Sequence, residues 1–583
     1  MENFIKDQTE KLKEIMSNLG YETDNVTLVV SSRKDLGDYQ YNGVMPLAKK
    51  YIKNPREIAD EIVSKMKESS DYSNVNVAGP GFINISFSKE LLCSYMTEIQ
   101  KDFEINLGDK KRKKIVIDYG GPNVAKTLHV GHLRSANIGE ALKRLTKELG
   151  CEVIADVHLG DWGRQMGLVI LELKRRFPDW SYFDENYKGE YPNEFSITNQ
   201  DLESLYPIAS QKAKEDELYL DEAREITTKL QNKEKGYYAL WQKIVEISTK
   251  EIKKTYEDLN ISFDLWEGES DADKYIPDVI QRLKDKGLLY ETDGALAVDV
   301  SEPGDKVNIP PLLVIKSNGS VSYETTDLAT LWGRMKNFNP DEVWYVVDKR
   351  QELHFTQVFR AARKSGIVKE HVKLEFIGFG TMNGKDGKPF KTRDGGVMTL
   401  SNLVDVVKNE TVKRLNPNIK ENEKDEISNI IKVATIKYAD LLSNRATDYI
   451  FDPEKFSDMN GKTGTYLLYS TIRIKSLLNK AKEQNLEIGP INTIVNEYDN
   501  EVVLNLLQMP MVLEESYKDK TLNEIAEYLF KLTNSYNNFY EANRILTESD
   551  EAIRSSWLGL SENVLKTNTK LIDILGIEIP KKM

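Results

Sequence analysis

The sequence predicts three kinds of structure in order: a small α+β unit, a doubly wound α/β domain on a parallel sheet with a helical insertion, and an all-helical C-terminal part. Three observations carry this. VNVAGPGFINISF (75–87) reads as two short strands around a Gly-Pro-Gly turn, behind helical patterns. The runs IVIDY (115–119), CEVIADVHLGDWG (151–163), LLVIKSNG (312–319), EVWYVV (342–347) and KLEFIGFG (373–380) are separated by helical stretches, the rhythm of a parallel sheet with crossover helices. From about residue 400 the helical period dominates to the end.

The elements follow in order. Phe4, Ile5, Leu12, Ile15 and Met16 recur at helical spacing and predict an opening amphipathic helix. Pro55 before REIADEIVSKM sits where a proline starts a helix. LGDKKRKK (107–114) is a basic, hydrophilic linker closing a first domain over 1–108. IVIDY suits a strand buried on both faces, and Leu133, Ile138, Leu142 and Leu145 mark the helix that follows it. A charged, helix-rich stretch near 175–270 interrupts the rhythm as an insertion. The expected segments are then 112–385 for the α/β domain, 386–460 for a loop and helical region, and 461–583 for the helical end. No internal repeat is present.

Composition limits the function classes. At ~150 residues per domain, 583 residues correspond to about four domains. Hydrophobic residues at 40% and charged residues at 30% exclude a disordered or collagen-like chain. A net charge of -13, taken alone, speaks against nucleic acid as a partner, but it is a whole-chain average that leaves room for local basic patches. Cys93 and Cys151 are too few for a disulfide framework or a zinc cluster, so no structural zinc is expected. With no signal-like start and no membrane-length apolar run, the expectation is a soluble cytoplasmic protein without a membrane partner.

Only five histidines occur, and two fall in His129-Val130-Gly131-His132, after a predicted strand and at a predicted helix start. A lone histidine is most often a packed or surface residue. A pair at a helix N-terminus has a mechanism, because free N–H groups and the helix dipole favour phosphate there. Gly131, lacking a Cβ, lets a flat base approach the backbone, and two imidazoles donate to developing charge. A metal site is the weaker reading, since no third ligand is close in sequence.

The tetrapeptide resembles the HIGH motif of class I aminoacyl-tRNA synthetases. GPNVAKTLHVGHLRSANIG, HLGDWGRQMG (158–167), KYADLLSNRATDYIFD (437–452) and the closing LGIEIPKKM are together similar to the arginyl-tRNA synthetase family. GDYQYNGVMPLAKK with NPREIADEIV resembles that family's N-terminal domain, where Asn42 belongs to the matching strings, as does Phe82 further on. The resemblance implies a Rossmann-like catalytic domain and an all-helical anticodon-binding domain. It implies the joining of L-arginine to its cognate tRNA with ATP, Mg²⁺ accompanying the ATP, by a monomer.

By that resemblance, His129, Gly131 and His132 bind ATP. Asn123 holds the main-chain end of arginine. Tyr323 and Asp327 grip the guanidinium with help from Asp118, and Gln357 lines the pocket; paired carboxylates suit a planar cation. Asp327 as a plain helix N-cap is the structural alternative. The family's second motif, KMSKS, is absent: KPFKTRDGG (388–396) stands in its place. The compensating cation is then Lys126, upstream of the histidines, or Lys391 and Arg393 in that loop. Tyr466, Tyr469 and Arg473 share a helix face suited to unstacked bases, with Tyr540 and the terminal Met583 as further tRNA candidates. Packing of the tyrosines in a helical core is the alternative. Competing functions are a class I synthetase for another amino acid and a non-catalytic tRNA-binding paralogue.

Overall fold

The computed structural model describes all residues except 1–2, 32, 102–112, 193–195, 389–397, 416 and 418. Most of the expected linker at 107–114, and both Lys391 and Arg393, therefore lie outside the described residues. The chain divides into two compact units. One comprises Met1–Lys110, Asp458–Ile574 and Ile579–Met583; the other comprises Lys111–Ser457 and Leu575–Glu578.

In the first unit, helix Phe4–Asn18 is capped by Asn3 and buries Phe4, Ile5, Leu12 and Met16, the apolar stripe of the sequence. Strands β1 (Leu28–Val30), β2 (Tyr39–Tyr41), β3 (Tyr72–Ala78) and β4 (Phe82–Phe87) form an antiparallel sheet in the order β1-β2-β4-β3. Ala78 pairs with Phe82 across the Gly-Pro-Gly turn. Helices Gly464–Glu483, Leu522–Ala542 and Glu551–Ile574 pack on one another in the same unit. The N-terminal and C-terminal segments, separate domains in the sequence, share polar contacts: Lys34 pairs with Glu501 at 2.5 Å, Gln100 accepts from the Ile491 N–H at 2.8 Å, and Lys89 donates to the Ile494 carbonyl at 2.8 Å.

The second unit begins with β5 (Lys114–Tyr119), parallel to β6 (Glu152–Asp156). The insertion is filled by helices Asn199–Glu215, Glu217–Gln231 and Lys235–Glu257. Next come β7 (Leu289–Thr292), β8 (Ala295–Val298) and β9 (Leu312–Ile315), a separate antiparallel sheet. This corrects one expectation: LLVIK is not a strand of the parallel sheet. A four-residue apolar run carries too little periodicity to distinguish the two settings, and β7 and β8 are not signalled in the sequence at all. Strands β10 (Glu342–Asp348) and β11 (Lys373–Phe379) complete the main sheet, parallel throughout, in the order β11-β10-β5-β6.

The core beside this sheet is aliphatic. Val116 and Val343 from the strands meet Leu328, Leu331 and Val358 from the crossover helices, all essentially buried, each such side chain contributing about 1.5–3 kcal/mol. Helix Val130–Glu148 lies flat on β5 because position 139 is glycine: a Cβ there would stand 2.1 Å from the Tyr119 ring. That contact sets the helix N-terminus at the strand's carboxyl end. Among the described residues no helix is long and apolar enough to cross a membrane.

Candidate active site

The chain leaves β5 toward β6 on one side and returns as β10 on the other, so the carboxyl ends of β5 and β10 flank a switch point, where open α/β sheets bind ligands. Ser135 fastens this place. Its Oγ accepts the Gly120 N–H at 2.8 Å and donates to the Val346 carbonyl at 2.6 Å, tying the helix to both strands. The GPN and HLGDWG strings are paired beside it. The Val124 N–H donates to the Gly160 carbonyl and the Gly160 N–H to the Pro122 carbonyl, both at 3.0 Å, with Asn123 bridged to Gly160.

His129 is the N-cap of helix Val130–Glu148, and the histidine pair is a capping box. His129 Nδ1 accepts the Gly131 N–H at 3.1 Å, and His132 Nδ1 accepts the His129 N–H at 3.1 Å. A ring nitrogen that accepts carries no proton, so both neutral imidazoles bear theirs on Nε2. The rings stack with centroids 3.9 Å apart. Burial, the His129 ring and the Lys126 ammonium push His132 down to about 3, and burial with Lys126 and Arg350 lowers His129. The pair is therefore two neutral N–H donors in a fixed tautomer. Gly131 also makes room for the His129 ring, which lies 2.9 Å from where a Cβ at that position would stand.

Lys126 lies with its ammonium 4.2 Å from the centre of the Tyr206 ring, in the insertion, and still exerts its charge on both histidines. The 380–396 loop is anchored at both ends to the histidine helix. Upstream, the buried Arg134 donates to the Gly380 carbonyl at 2.7 Å and pairs with Asp440 at 2.9 Å. Downstream, the Leu400 N–H donates to the Leu128 carbonyl at 2.8 Å, and Thr399 forms a bridge with His129.

The carboxylates of the expected arginine pocket are already organised. Asp118 is the penultimate residue of β5, and its Oδ2 accepts from Arg334 at 2.6 Å; the same guanidinium bridges to Asp156. Asp118 thus has one of its two carboxylate oxygens engaged by Arg334 within the protein. Burial works against the Arg334 charge, yet Asp118 and Asp156 hold it well above its ordinary range. Asp327 is no N-cap: Ser322 caps helix Tyr323–Phe338, with its Oγ accepting the Thr325 N–H. Asp327 instead meets His354 Nε2 at 2.6 Å, and the exposed Tyr323 ring lies 5.0 Å from the His354 ring. Gln357, expected to line the pocket, donates its amide N–H to the Pro310 carbonyl at 2.7 Å.

Three residues that sequence reasoning missed complete this set. Arg334 stands seven residues after Asp327, on the same helix face, a spacing that was available to read. His354 precedes Gln357 by three residues in the same helix. Glu269 is pushed up to about 7, mainly by burial, with Asp161 and Asp327 adding to this and His158 opposing it. No local signal marks it.

In the other unit, the expected tRNA residues cluster. Arg473 donates to Asn537 Oδ1, and Asn537 donates to the Tyr466 hydroxyl at 2.6 Å. The Arg473 guanidinium lies 4.9 Å from the Tyr540 ring centre and 5.9 Å from that of Tyr469. Tyr469 is 43% exposed, whereas Tyr466 is half-buried against Phe530, so the helical-core alternative fits Tyr466 better than Tyr469. Met583 is half-exposed at the chain end.

A parallel sheet with its switch point capped by two neutral histidine donors defines a nucleotide-activating domain of the class I synthetase kind. Residues 96–453 match the model of the catalytic domain of class I tRNA synthetases (R), residues 3–87 that of the arginyl tRNA synthetase N-terminal domain, and residues 467–583 that of the DALR anticodon binding domain. A protein of Alkaliphilus oremlandii named arginine–tRNA ligase is 44% identical, and one of Agathobacter rectalis with the same name is 43% identical, each match covering 100% of both chains. The crystal structure of arginyl-tRNA synthetase from Plasmodium falciparum aligns over 100% of both chains with a TM-score of 0.82 at 26% identity. Arginyl-tRNA synthetase of Thermus thermophilus shares the fold, with a TM-score of 0.79 at 20% identity over 100% of both chains. The chain belongs to the class I arginyl-tRNA synthetase family.

Proposed function

We propose that the chain is an arginine–tRNA ligase. It activates L-arginine with ATP to arginyl-adenylate and pyrophosphate, then transfers the arginyl group to the 3′ end of its cognate tRNA, releasing AMP. Full-length kinship with proteins named for this activity supports it. The observation that carries the site-level reading is the capping box of His129 and His132, which presents two neutral Nε2–H donors at a helix N-terminus on the switch point.

The first step suits such a site. An arginine carboxylate oxygen attacks the α-phosphorus in line as the bond to pyrophosphate breaks. No protein group has to take a proton, so the chain needs donors, cations and positioning. His129 and His132 donate to phosphate oxygens, with Gly131 between them. Lys126 is the main compensating cation, ahead of Lys391 and Arg393, and Mg²⁺ accompanies ATP. Asn123 takes the main-chain end of arginine. Tyr323 and Asp327 receive the guanidinium, with Gln357 and the free oxygen of Asp118 at the rim; His354 orients Asp327 from behind. Citrulline is disfavoured because its neutral side chain cannot form the charge-assisted pair that a guanidinium makes with Asp327.

Tyr469, Arg473 and Tyr540, with Tyr466 and Met583, read the tRNA anticodon from the 461–583 region. Residues 1–108 meet the outer part of the tRNA, 112–385 carry out catalysis, and 386–460 contribute the signature loop and stem contacts. The enzyme works as a monomer in the cytoplasm. ATP–pyrophosphate exchange with a panel of amino acids, tRNA present, tests the reading: arginine alone stimulates exchange, and stimulation by lysine or glutamate in its place refutes it.

A further inference from the structure

Lys126 brings one cation to the histidine pair, but the triphosphate of ATP carries several negative charges, and the carboxyl end of β10 offers a second, oriented cation. Resting on the ATP-site reading above, we propose that Arg350 is a further catalytic residue that holds the β- and γ-phosphates and stabilises the departing pyrophosphate.

The argument begins with β10. It runs parallel to β5, with Val346 opposite Tyr119, and ends at Asp348 on the same edge of the sheet as the histidine turn. The chain then makes a single 3₁₀ turn, Lys349–Gln351. Asp348 grips the residue at the centre of that turn. Arg350 Nε lies 2.8 Å from Oδ1 and Nη2 lies 2.6 Å from Oδ2, while the Arg350 backbone N–H donates to Oδ1 at 2.9 Å. A guanidinium has five N–H donors, and this fork uses two, leaving three in a fixed plane. The Arg350 side chain is 77% exposed, so those donors are presented and not buried.

The turn itself is braced. Lys349 pairs with Asp448 at 2.9 Å, and Asp448 Oδ1 accepts the Thr381 N–H at 2.8 Å, at the start of the 380–396 loop. Arg350 therefore stands on a rigid platform joined to the base of that loop. Its charge reaches His129: with burial and Lys126, it is one of the three influences that lower that histidine. Because both histidines are neutral, balancing the phosphates' charge falls to cations, and Arg350 adds an oriented one to Lys126.

In the chemical step, the arginine carboxylate oxygen bonds to the α-phosphorus. The bond from that phosphorus to the bridging oxygen breaks, and its electron pair leaves on pyrophosphate. Arg350 N–H groups receive the charge that accumulates there, as preorganised donors do. No proton moves and no further reactant is needed.

The test is ATP–pyrophosphate exchange with arginine and tRNA present, on Arg350→Gln, Arg350→Lys and Asp348→Asn, with His132→Ala as the reference for the site. Arg350→Gln is expected to lower kcat and raise the KM for pyrophosphate by about 10- to 100-fold, the range for a lost charged hydrogen bond. The KM for arginine and the Tm should stay unchanged. Arg350→Lys recovers most of the loss, and Asp348→Asn, which keeps the charge but loosens the fork, falls between. If His132→Ala is impaired while Arg350→Gln has wild-type kcat and KM for pyrophosphate, the proposal is overturned. If both variants are wild-type, the ATP-site reading fails and takes this proposal with it.

Discussion

Arg334 Nη2 donates to Asp118 Oδ2 at 2.6 Å from a fully buried position. Asp118 and Asp156 are register partners on adjacent strands, so their carboxylates face the same crevice, and the Arg334 charge is what lets both stay there. Replacing Arg334 with Met leaves two carboxylates without their cation in a buried setting. The expected loss is about 3–5 kcal/mol of stability, read as a lower urea midpoint with an unchanged slope. An unchanged midpoint would mean that the triad does not hold the sheet end.

The capping box gives each histidine two tasks, and substitutions can separate them. Asparagine is a favoured N-cap, so His129→Asn retains the cap and the Tm but loses the Nε2–H donor. His132→Ala removes a donor to developing charge and lowers the chemical step by about 10²-fold or more. Because burial and its charged neighbours push His132 down to about 3, its titration should leave no step near the ordinary histidine range in the kcat–pH profile. A clear loss of kcat as pH falls through that range, abolished in the His132 variant, would refute the neutral-donor role.

Lys126 and Lys391 compete as the compensating cation. The Lys126 ammonium acts on both histidines and is held over Tyr206. Lys126→Ala should therefore reduce kcat for exchange more than Lys391→Ala. The reverse order, measured at saturating ATP, would assign the task to the loop.

Much of this was legible in the sequence, for identifiable reasons. The strands β5, β6, β10 and β11 are apolar, β-rich runs spaced by helices, and local pattern is enough for them. His129 and His132 stand together in the chain, so their proximity needs no fold. Spacing could place Arg334 on the face of Asp327, but its pairing with Asp118 and that of His354 with Asp327 were not legible, because they depend on the crossing of helices on the sheet. The room that Gly131 makes for the His129 ring was not legible for a related reason: ring orientation is not written in the local pattern. The β7–β9 sheet was missed because its runs are too short to show a period.

If the guanidinium binds beside Asp327 as proposed, Glu269, whose raised value owes part of its shift to Asp327, should make arginine binding proton-linked. Its folded value of about 7 lies above the ordinary 4.5. A raised carboxylate contributes stability that is fully present below its ordinary value and lost as pH rises through the folded one. In the empty site, stability should thus decline from about pH 5 to about pH 8, and Glu269→Gln should flatten that part of the profile. A bound guanidinium favours the ionised form, so arginine binding near neutrality should release protons and tighten as pH rises to about 7. Calorimetry in buffers of different ionisation enthalpy measures this; zero proton release, identical in wild type and Glu269→Gln, would remove Glu269 from the arginine pocket.

The tRNA patch offers a test independent of the active site. Asn537 accepts from Arg473 and donates to Ser470 Oγ at 3.0 Å, so the guanidinium is fixed between the Tyr469 and Tyr540 rings and not free to wander. An exposed ring beside an oriented cation is a stacking platform for an unpaired base. Stacking is worth about 1–3 kcal/mol per base, so Tyr469→Ala should raise the Kd for cognate tRNA by about 5- to 150-fold, while Tyr469→Phe stays near wild type because the ring and not the hydroxyl does the stacking. At saturating tRNA the KM values for ATP and arginine should not move. Tyr466→Ala should act differently: its hydroxyl accepts from Asn537 and its ring packs on Phe530, so the Tm falls along with tRNA affinity. Filter binding and thermal unfolding on the two alanine variants separate these outcomes, and a wild-type Kd in Tyr469→Ala would place anticodon recognition on another face of the helical region.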